Sequence, residues 1–171
     1  MGDVVGGLTA EAAARCGLKQ GVPVVQGGAD AFVGMVGLGV IEPGQLALIT
    51  GSSHLHLGVA SAPLHASGIF GTYRNALVKT AQFVVEGGQT STGSVVRWFK
   101  DLCNGDHGFY DDINAEAAEI PVGAEGLTAL DHFQGNRTPH VDPLSRGVIS
   151  GLTLKHTRAP VYRAILERVC C

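Results

Sequence analysis

The chain has little charge and only a slight acidic excess. Charged residues fill 16% of its 171 positions, 12 Lys and Arg against 15 Asp and Glu, giving a net charge of −3. With the cations scattered and a pI near 6.1, no basic stripe is available for the phosphates of a nucleic-acid duplex, so nucleic acid is not an expected partner. Long apolar runs are also missing. None approaches the roughly 18–20 residues that span a bilayer, and the first residues lack the basic-then-apolar layout of a secretory leader. No membrane partner is expected, and a cytoplasmic location is. Cysteine is scarce: Cys16 and Cys103 stand alone, while Cys170 and Cys171 are adjacent. That pattern fits neither a disulfide framework nor a zinc spacing and predicts reduced thiols. Neither GxxxxGK[ST] nor GxGxxG followed by an acidic residue occurs, which excludes the P-loop and the dinucleotide fingerprint. Internal repeats, low-complexity stretches and heptads are absent too. What is present is apolar. Hydrophobic residues make up 45% of the chain and mean hydropathy is +0.21, enough to offset ordering entropy in one domain or two partial ones. The 25 glycines follow no three-residue period, so collagen is excluded, and they cluster at Gly27-Gly28 and Gly87-Gly88, as turns or ligand-approach points require.

Leu8 to Cys16 is rich in alanine, with Thr9 as N-cap, Glu11 in the first turn and Gly17 as the stop, which predicts a short helix. Gly21 to Gln26 reads as a short buried strand. Gly27-Gly28-Ala29-Asp30 is a tight turn feeding an apolar helix from about Ala31 to Leu38. A turn at Glu42-Pro43-Gly44 separates this unit from strands at Leu46 to Thr50, Leu55 to Val59 and Leu77 to Val85. The change of element type places a domain boundary near Pro43. Val95, Val96, Trp98 and Phe99 lie at helical spacing within Thr92 to Leu102, with Trp98 as the expected core anchor, and Asp111 to Ala118 is a second, more polar helix. Gly126 to Leu130 is strand-like, Gln134 to Arg146 a polar loop, and the last helix has Pro160 in its first turn. Its apolar face, Val161, Ile165, Leu166 and Val169, runs to the last residue without a C-cap, so the natural protein, or at least its relatives, is expected to continue.

Three segments carry candidate chemistry. Asp30 follows a glycine pair at a strand's carboxyl end, where open α/β sheets place ligands. It can serve as a general base toward a hydroxyl, or as an N-cap satisfying helix amides, and the two roles are compatible. Thr50-Gly51-Ser52-Ser53 follows an apolar strand; small residues admit an anion close to the backbone and the hydroxyls can donate to phosphate oxygens, though the same residues make an ordinary hairpin connection. Glu86 to Gly93 again runs from a strand through glycine and hydroxyl residues into a helix, whose amides face the turn and which carries Arg97 one turn on. Arg97 reads equally as a solvated helix-face cation. His54 and His56 share a strand face, with no carboxylate at a ligand-like offset, so no metal site is assigned.

In order along the chain, Val24 to Asp30, Leu48 to Ser53, Gly87 to Gly93 with Arg97-Trp98-Phe99, and Gly135-Asn136-Arg137-Thr138-Pro139, together with the closing Gly147 to Glu167, resemble successive blocks of the FGGY carbohydrate kinases. The likeness covers nearly the whole chain and is greatest to the ribulokinase-like branch.

The resemblance implies an α/β fold of the actin-like ATPase, ribonuclease H-like type, with residues 1–43 as the end of the first domain and 44–171 as the opening part of the second. It implies an ATP-dependent sugar kinase, with the sugar a ketopentose such as ribulose or xylulose. Asp30 would be the general base at the sugar hydroxyl. Gly51, Ser52 and Ser53, with Gly93 and Arg97, would line the nucleotide phosphates, and Mg2+ would arrive with ATP, held largely by phosphate oxygens and water. Gly135 to Pro139 corresponds to a structural loop near the hinge. The family's opening phosphate block and its later adenosine cradle have no counterpart here, so the isolated chain is expected to be inactive. Rival readings are a non-catalytic remnant that binds nucleotide or a partner chain, with homo-oligomers possible, and an actin-like ATPase of the chaperone or actin type.

Overall fold

Glycine and proline interrupt the apolar runs at short intervals, and the elements are correspondingly short. A computed structural model describes residues 1–77 and 82–170. Along them run β1 (Val4–Gly7), α1 (Ala10–Cys16), β2 (Pro23–Val25), α2 (Asp30–Gly37), β3 (Leu46–Thr50), β4 (His54–Ala60), β5 (Gly71–Arg74), β6 (Phe83–Gln89), α3 (Gly93–Leu102), α4 (Phe109–Ala118), a 3-10 turn (Ala124–Gly126), β7 (Thr128–Leu130), β8 (Val148–Ser150) and α5 (Arg158–Cys170). One sheet has the order β3-β4-β6-β5, and the pairs β1-β2 and β7-β8 stand apart from it. The chain divides into two compact units, Met1–Ala47 with Leu57–His65 and Gly71–Glu86, and Leu48–His56 with Ala66–Phe70 and Gly87–Cys171.

In the first unit, α1 starts and stops where its local chemistry directs. Thr9 Oγ1 accepts from the Ala12 amide at 3.3 Å, and Gly17 closes the helix in the left-handed region. β1 and β2 pair antiparallel through Val4↔Val25, Gly6↔Val24 and Gly7↔Pro23. The buried strand expected over Gly21 to Gln26 is shorter and exposed, with Val25 54% accessible; its one partner, β1, is itself open to solvent along its length. In α2, Ala31 and Met35 are buried one turn apart while Val33 and Val36 face out. Gln45 Oε1 accepts from the Ile41 and Glu42 amides, each at 2.9 Å, and closes the Glu42–Gly44 turn. β5 pairs antiparallel with β6 from Gly71↔Glu86 to Arg74↔Phe83. Of the expected strand Leu77 to Val85, residues 78–81 lie outside the described residues, and the observed strand begins at Phe83.

The second unit is built on three helices. Val95 and Phe99 of α3, Phe109, Ile113 and Ala117 of α4, and Tyr162 and Ile165 of α5 are buried together with Leu127 and Ala129. The spacing of three or four residues within each helix is what places them on one face. The Phe99 ring lies 5.7 Å from Tyr162 and 6.4 Å from Phe109, centroid to centroid. Tyr162 keeps its polar end satisfied, its hydroxyl donating to Asn114 Oδ1 at 3.2 Å. Burying side chains of this size contributes about 1.5–3 kcal/mol each. The expected anchor Trp98 is not in this core: it is 40% exposed and packs on Phe133, because Val95 and Phe99, one turn apart, already define the inward face. β7 and β8 pair antiparallel through Thr128↔Ser150 and Leu130↔Val148.

Candidate functional site

At the end of β3 the chain turns sharply, and Gly51 N donates to Ser53 O at 3.0 Å. The carbonyls of this turn are taken up by the start of α3. Thr92 N and Ser94 N donate to Ser52 O at 3.0 and 3.1 Å, and Gly93 N donates to Gly51 O at 3.2 Å. Ser94 Oγ adds a further bond to Ser52 O at 3.0 Å. The first amides of α3, left without intrahelical partners by helix geometry, are therefore satisfied by the Gly51–Ser52 turn. The hydroxyls of Ser52 and Ser53 enter none of the hydrogen bonds among the described residues.

Close backbone approach explains two glycines, Gly93 at this docking and Gly88 against β4. A Cβ on Gly93 would lie 2.4 Å from Gly51 O, and one on Gly88 would lie 2.3 Å from His54 O. No side chain can occupy either place without moving backbone. Thr92, fully buried between them, sends its hydroxyl toward Gly51 O and Ser52 O.

Gly51, Ser52, Gly93, Ser94 and Arg97 line an open cleft of about 480 Å³. Four of the residues singled out from sequence thus come together in one place, while Ser53 stands beside the cleft without lining it. Arg97 is exposed, and its Nε donates to both carboxylate oxygens of Asp101 at 3.0 Å. Asp30 belongs to the first unit, where it opens α2, is exposed, and accepts from the Ala31 amide at 2.8 Å through Oδ1. Its side chain is therefore on the helix N-terminus, with the second oxygen in no described hydrogen bond.

A second cavity of about 240 Å³ is lined by His56, Gly88, Thr90, Asp131, His132, Arg137 and Arg168, among others. Asp131 is buried and pairs with Arg168 at 3.3 Å. Arg137 lies over the Phe70 ring, 4.5 Å from its centroid. Partial burial, and secondarily the neighbouring His56, lower the His54 pKa below its ordinary value. The sequence points to Asn136 and Thr138 only as members of a structural loop, and to no functional role for His132. Asn136 and Thr138 belong to the run Gly135 to Pro139; His132 and Asn136 find their partners within 13 residues, whereas Thr138 bonds Gly88, 50 residues away. Among the described residues no group of three or more His, Cys, Asp and Glu could hold a metal ion, and no helix is long and apolar enough to cross a membrane.

The sequence model of the FGGY family of carbohydrate kinases, C-terminal domain, matches residues 46–171. A ribulokinase of Shouchella clausii is 34% identical, over 97% of this chain and 31% of its own length. A xylulose kinase of Bacillus subtilis is 30% identical, over 98% of this chain and 33% of its own. The crystal structure of xylulose kinase from Rhodospirillum rubrum superposes with a TM-score of 0.79 at 32% identity, covering 97% of this chain and 33% of that one. The chain spans about a third of the length of the relatives it matches. Its mixed α/β architecture is that of the actin-like ATPase fold its structural neighbours share. With the family's sequence model across most of the chain and the Gly51–Ser53 turn docked on α3, the chain belongs to the FGGY family of carbohydrate kinases.

Proposed function

We propose that this chain is part of an ATP-dependent sugar kinase that transfers the γ-phosphoryl group of ATP to a hydroxyl of a ketopentose such as ribulose or xylulose. The observation that carries the reading is the Gly51–Ser53 turn. Its carbonyls are held by the amides of Thr92, Gly93 and Ser94, while the Ser52 and Ser53 hydroxyls stay available to donate to phosphate oxygens. Fixing the carbonyls away from an incoming anion removes the groups that would repel it. In phosphoryl transfer the protein chiefly positions groups and neutralises charge. Here Ser52 and Ser53 would hold the terminal phosphates, with Gly93 keeping the cleft wall close. Arg97 would lend positive charge, moderated by its pairing with Asp101. Asp30 would accept the proton of the attacking sugar hydroxyl as general base and orient the sugar. Mg2+ would come with ATP and neutralise phosphate charge, held by phosphate oxygens and water.

In the same reading, residues 1–43 close the family's first domain and 44–171 open its second. The protein works in the cytoplasm on small molecules, without nucleic acid or membrane, and homo-oligomers are compatible with it. A second reading, a nucleotide- or partner-binding chain without phosphoryl transfer, draws on the Asp30 carboxylate already serving the Ala31 amide. Calorimetric titration with Mg-ATP tests the phosphate turn. Ser52→Ala is expected to weaken binding about tenfold or more, the worth of a hydrogen bond to a charged group, and Asp30→Asn to leave it unchanged. Equal affinity of Ser52→Ala and the unaltered chain would remove the turn from the site.

A further inference from the structure

The polar loop from Gly135 to Pro139 is fixed to the approach of α3 by side-chain bonds to backbone. Thr138 Oγ1 donates to Gly88 O at 2.7 Å and accepts from Gly88 N at 3.0 Å, using a hydroxyl's one proton and one of its lone pairs. Thr90 Oγ1 donates to Gly135 O at 2.9 Å, and buried Ser91 donates to Asp131 O. These bonds fix residues 88–91, and the next residues along the chain are Thr92, Gly93 and Ser94, whose amides hold the Gly51–Ser52 turn.

Thr138 is itself held by a polar network whose orientation follows from its partners. Asn136 Oδ1 accepts from the His140 amide at 2.8 Å and Asn136 Nδ2 donates to Thr138 O at 2.9 Å. Those two bonds settle which end of the amide is which, so the 2.9 Å contact to His132 Nε2 has Asn136 as donor. Assigned from this network, His132 carries its proton on Nδ1 and donates it to Ser145 Oγ at 2.6 Å. Asn136 and Asp142 exchange backbone bonds of 2.8 and 2.9 Å and close the loop. His132 is 8% exposed, so these partners replace water.

We propose that Thr138, supported by Asn136 and His132, is a positioning residue of the phosphate cleft: its clip on Gly88 sets the turn into α3, and α3 in turn sets the Gly51–Ser52 carbonyls. The proposal rests on the reading of Gly51–Ser53 as the phosphate turn. Thr138→Val removes the hydroxyl at nearly constant shape, and Thr138→Ser restores it.

The test compares these variants and the unaltered chain by amide hydrogen exchange and by Mg-ATP titration. In Thr138→Val the amides of Thr92, Gly93 and Ser94 are expected to exchange about tenfold faster, the scale of losing one to two hydrogen bonds' worth of local stability. Mg-ATP affinity is expected to fall about three- to tenfold, and Thr138→Ser is expected to recover both. Unchanged exchange at those amides in Thr138→Val, or a Thr138→Ser variant as impaired as Thr138→Val, would overturn the proposal. Should Thr138→Val fail to fold, Thr90→Val cuts the second clip alone and must speed the same amides, or the proposal falls. If the exchange responds as expected while the unaltered chain binds no Mg-ATP, the phosphate reading fails and the positioning stands.

Discussion

The helical core of the second unit and the opening stretch of the first use apolar residues differently. In the second unit, Phe99, Phe109, Ile113, Tyr162 and Ile165 close on one another from three helices and are almost wholly removed from water. In the first unit, the stretch from Val4 to Leu38 is no less hydrophobic, yet Val4, Val5, Val25 and Leu38 are each more than half exposed, and Ala13, Ala31 and Met35 are its buried members. The difference shows that hydrophobic content alone does not locate a core. Burial follows where helical spacing on one element meets a partner face within the same unit. The candidate phosphate turn stands in the unit that holds the three-helix core, and the candidate general base in the other, whose buried residues outside the Val4 to Leu38 stretch include Leu57, Val59 and Val84.

The sharpest way to break this contrast is to cut one large side chain from each region. Phe99→Ala should cost about 3–5 kcal/mol by chemical denaturation, whereas Val5→Ala should change stability by no more than about 0.5 kcal/mol. Equal losses would mean that burial has been misassigned. A smaller contrast compares glycines. Gly93→Ala pushes a methyl against Gly51 O and should cost about 1–3 kcal/mol while loosening the turn. At Gly27 an added Cβ meets nothing within 4 Å, so Gly27→Ala should be within about 0.5 kcal/mol of the unaltered chain. Smaller again, Thr9→Ala should weaken α1 by about 1 kcal/mol, visible as faster exchange at its first amides and not in the second unit.

The smallest effect expected is electrostatic. Arg158 hydrogen-bonds Glu116 and lowers its pKa, outweighing the opposing effect of desolvation. A carboxyl lowered on folding stabilises the folded state above its ordinary value, and that contribution is lost as the pH falls through the lower, folded value. Glu116→Gln should therefore flatten the acid limb of stability slightly and leave neutral pH nearly unchanged, because the pair is solvent-exposed. An acid limb identical in both proteins would show that the pair contributes nothing.

What could be read from sequence was local. Thr9 and Gly17 bracket α1 because a cap and a stop act within a few residues, and Leu46 to Thr50 is a strand at the expected bounds. β1, β5 and β8, three or four residues each, are too short for a period to register. Gly51, Ser52, Ser53, Gly93 and Arg97 are grouped through resemblance to a family rather than through spacing, and all of them but Ser53 line one cleft. The sequence did not reveal that the α3 amides are occupied by the Gly51 and Ser52 carbonyls, since that pairing joins segments about 40 residues apart in sequence. The clip of Thr138 on Gly88, 50 residues away, was hidden for the same reason. Trp98 was misplaced because helical spacing offers two candidate faces and the neighbouring Val95 and Phe99 took the inner one.

The most direct measurement is an amide-resolved NMR titration of the folded chain with Mg-ATP. The expected result is a saturable shift of the Gly51, Ser52 and Ser53 amides, with the α3 start at Gly93 and Ser94 following, and with both lost in Ser52→Ala. A folded chain whose Gly51–Ser53 amides stay still at saturating Mg-ATP, or whose shifts gather elsewhere, would contradict the assignment of this turn as the phosphate site.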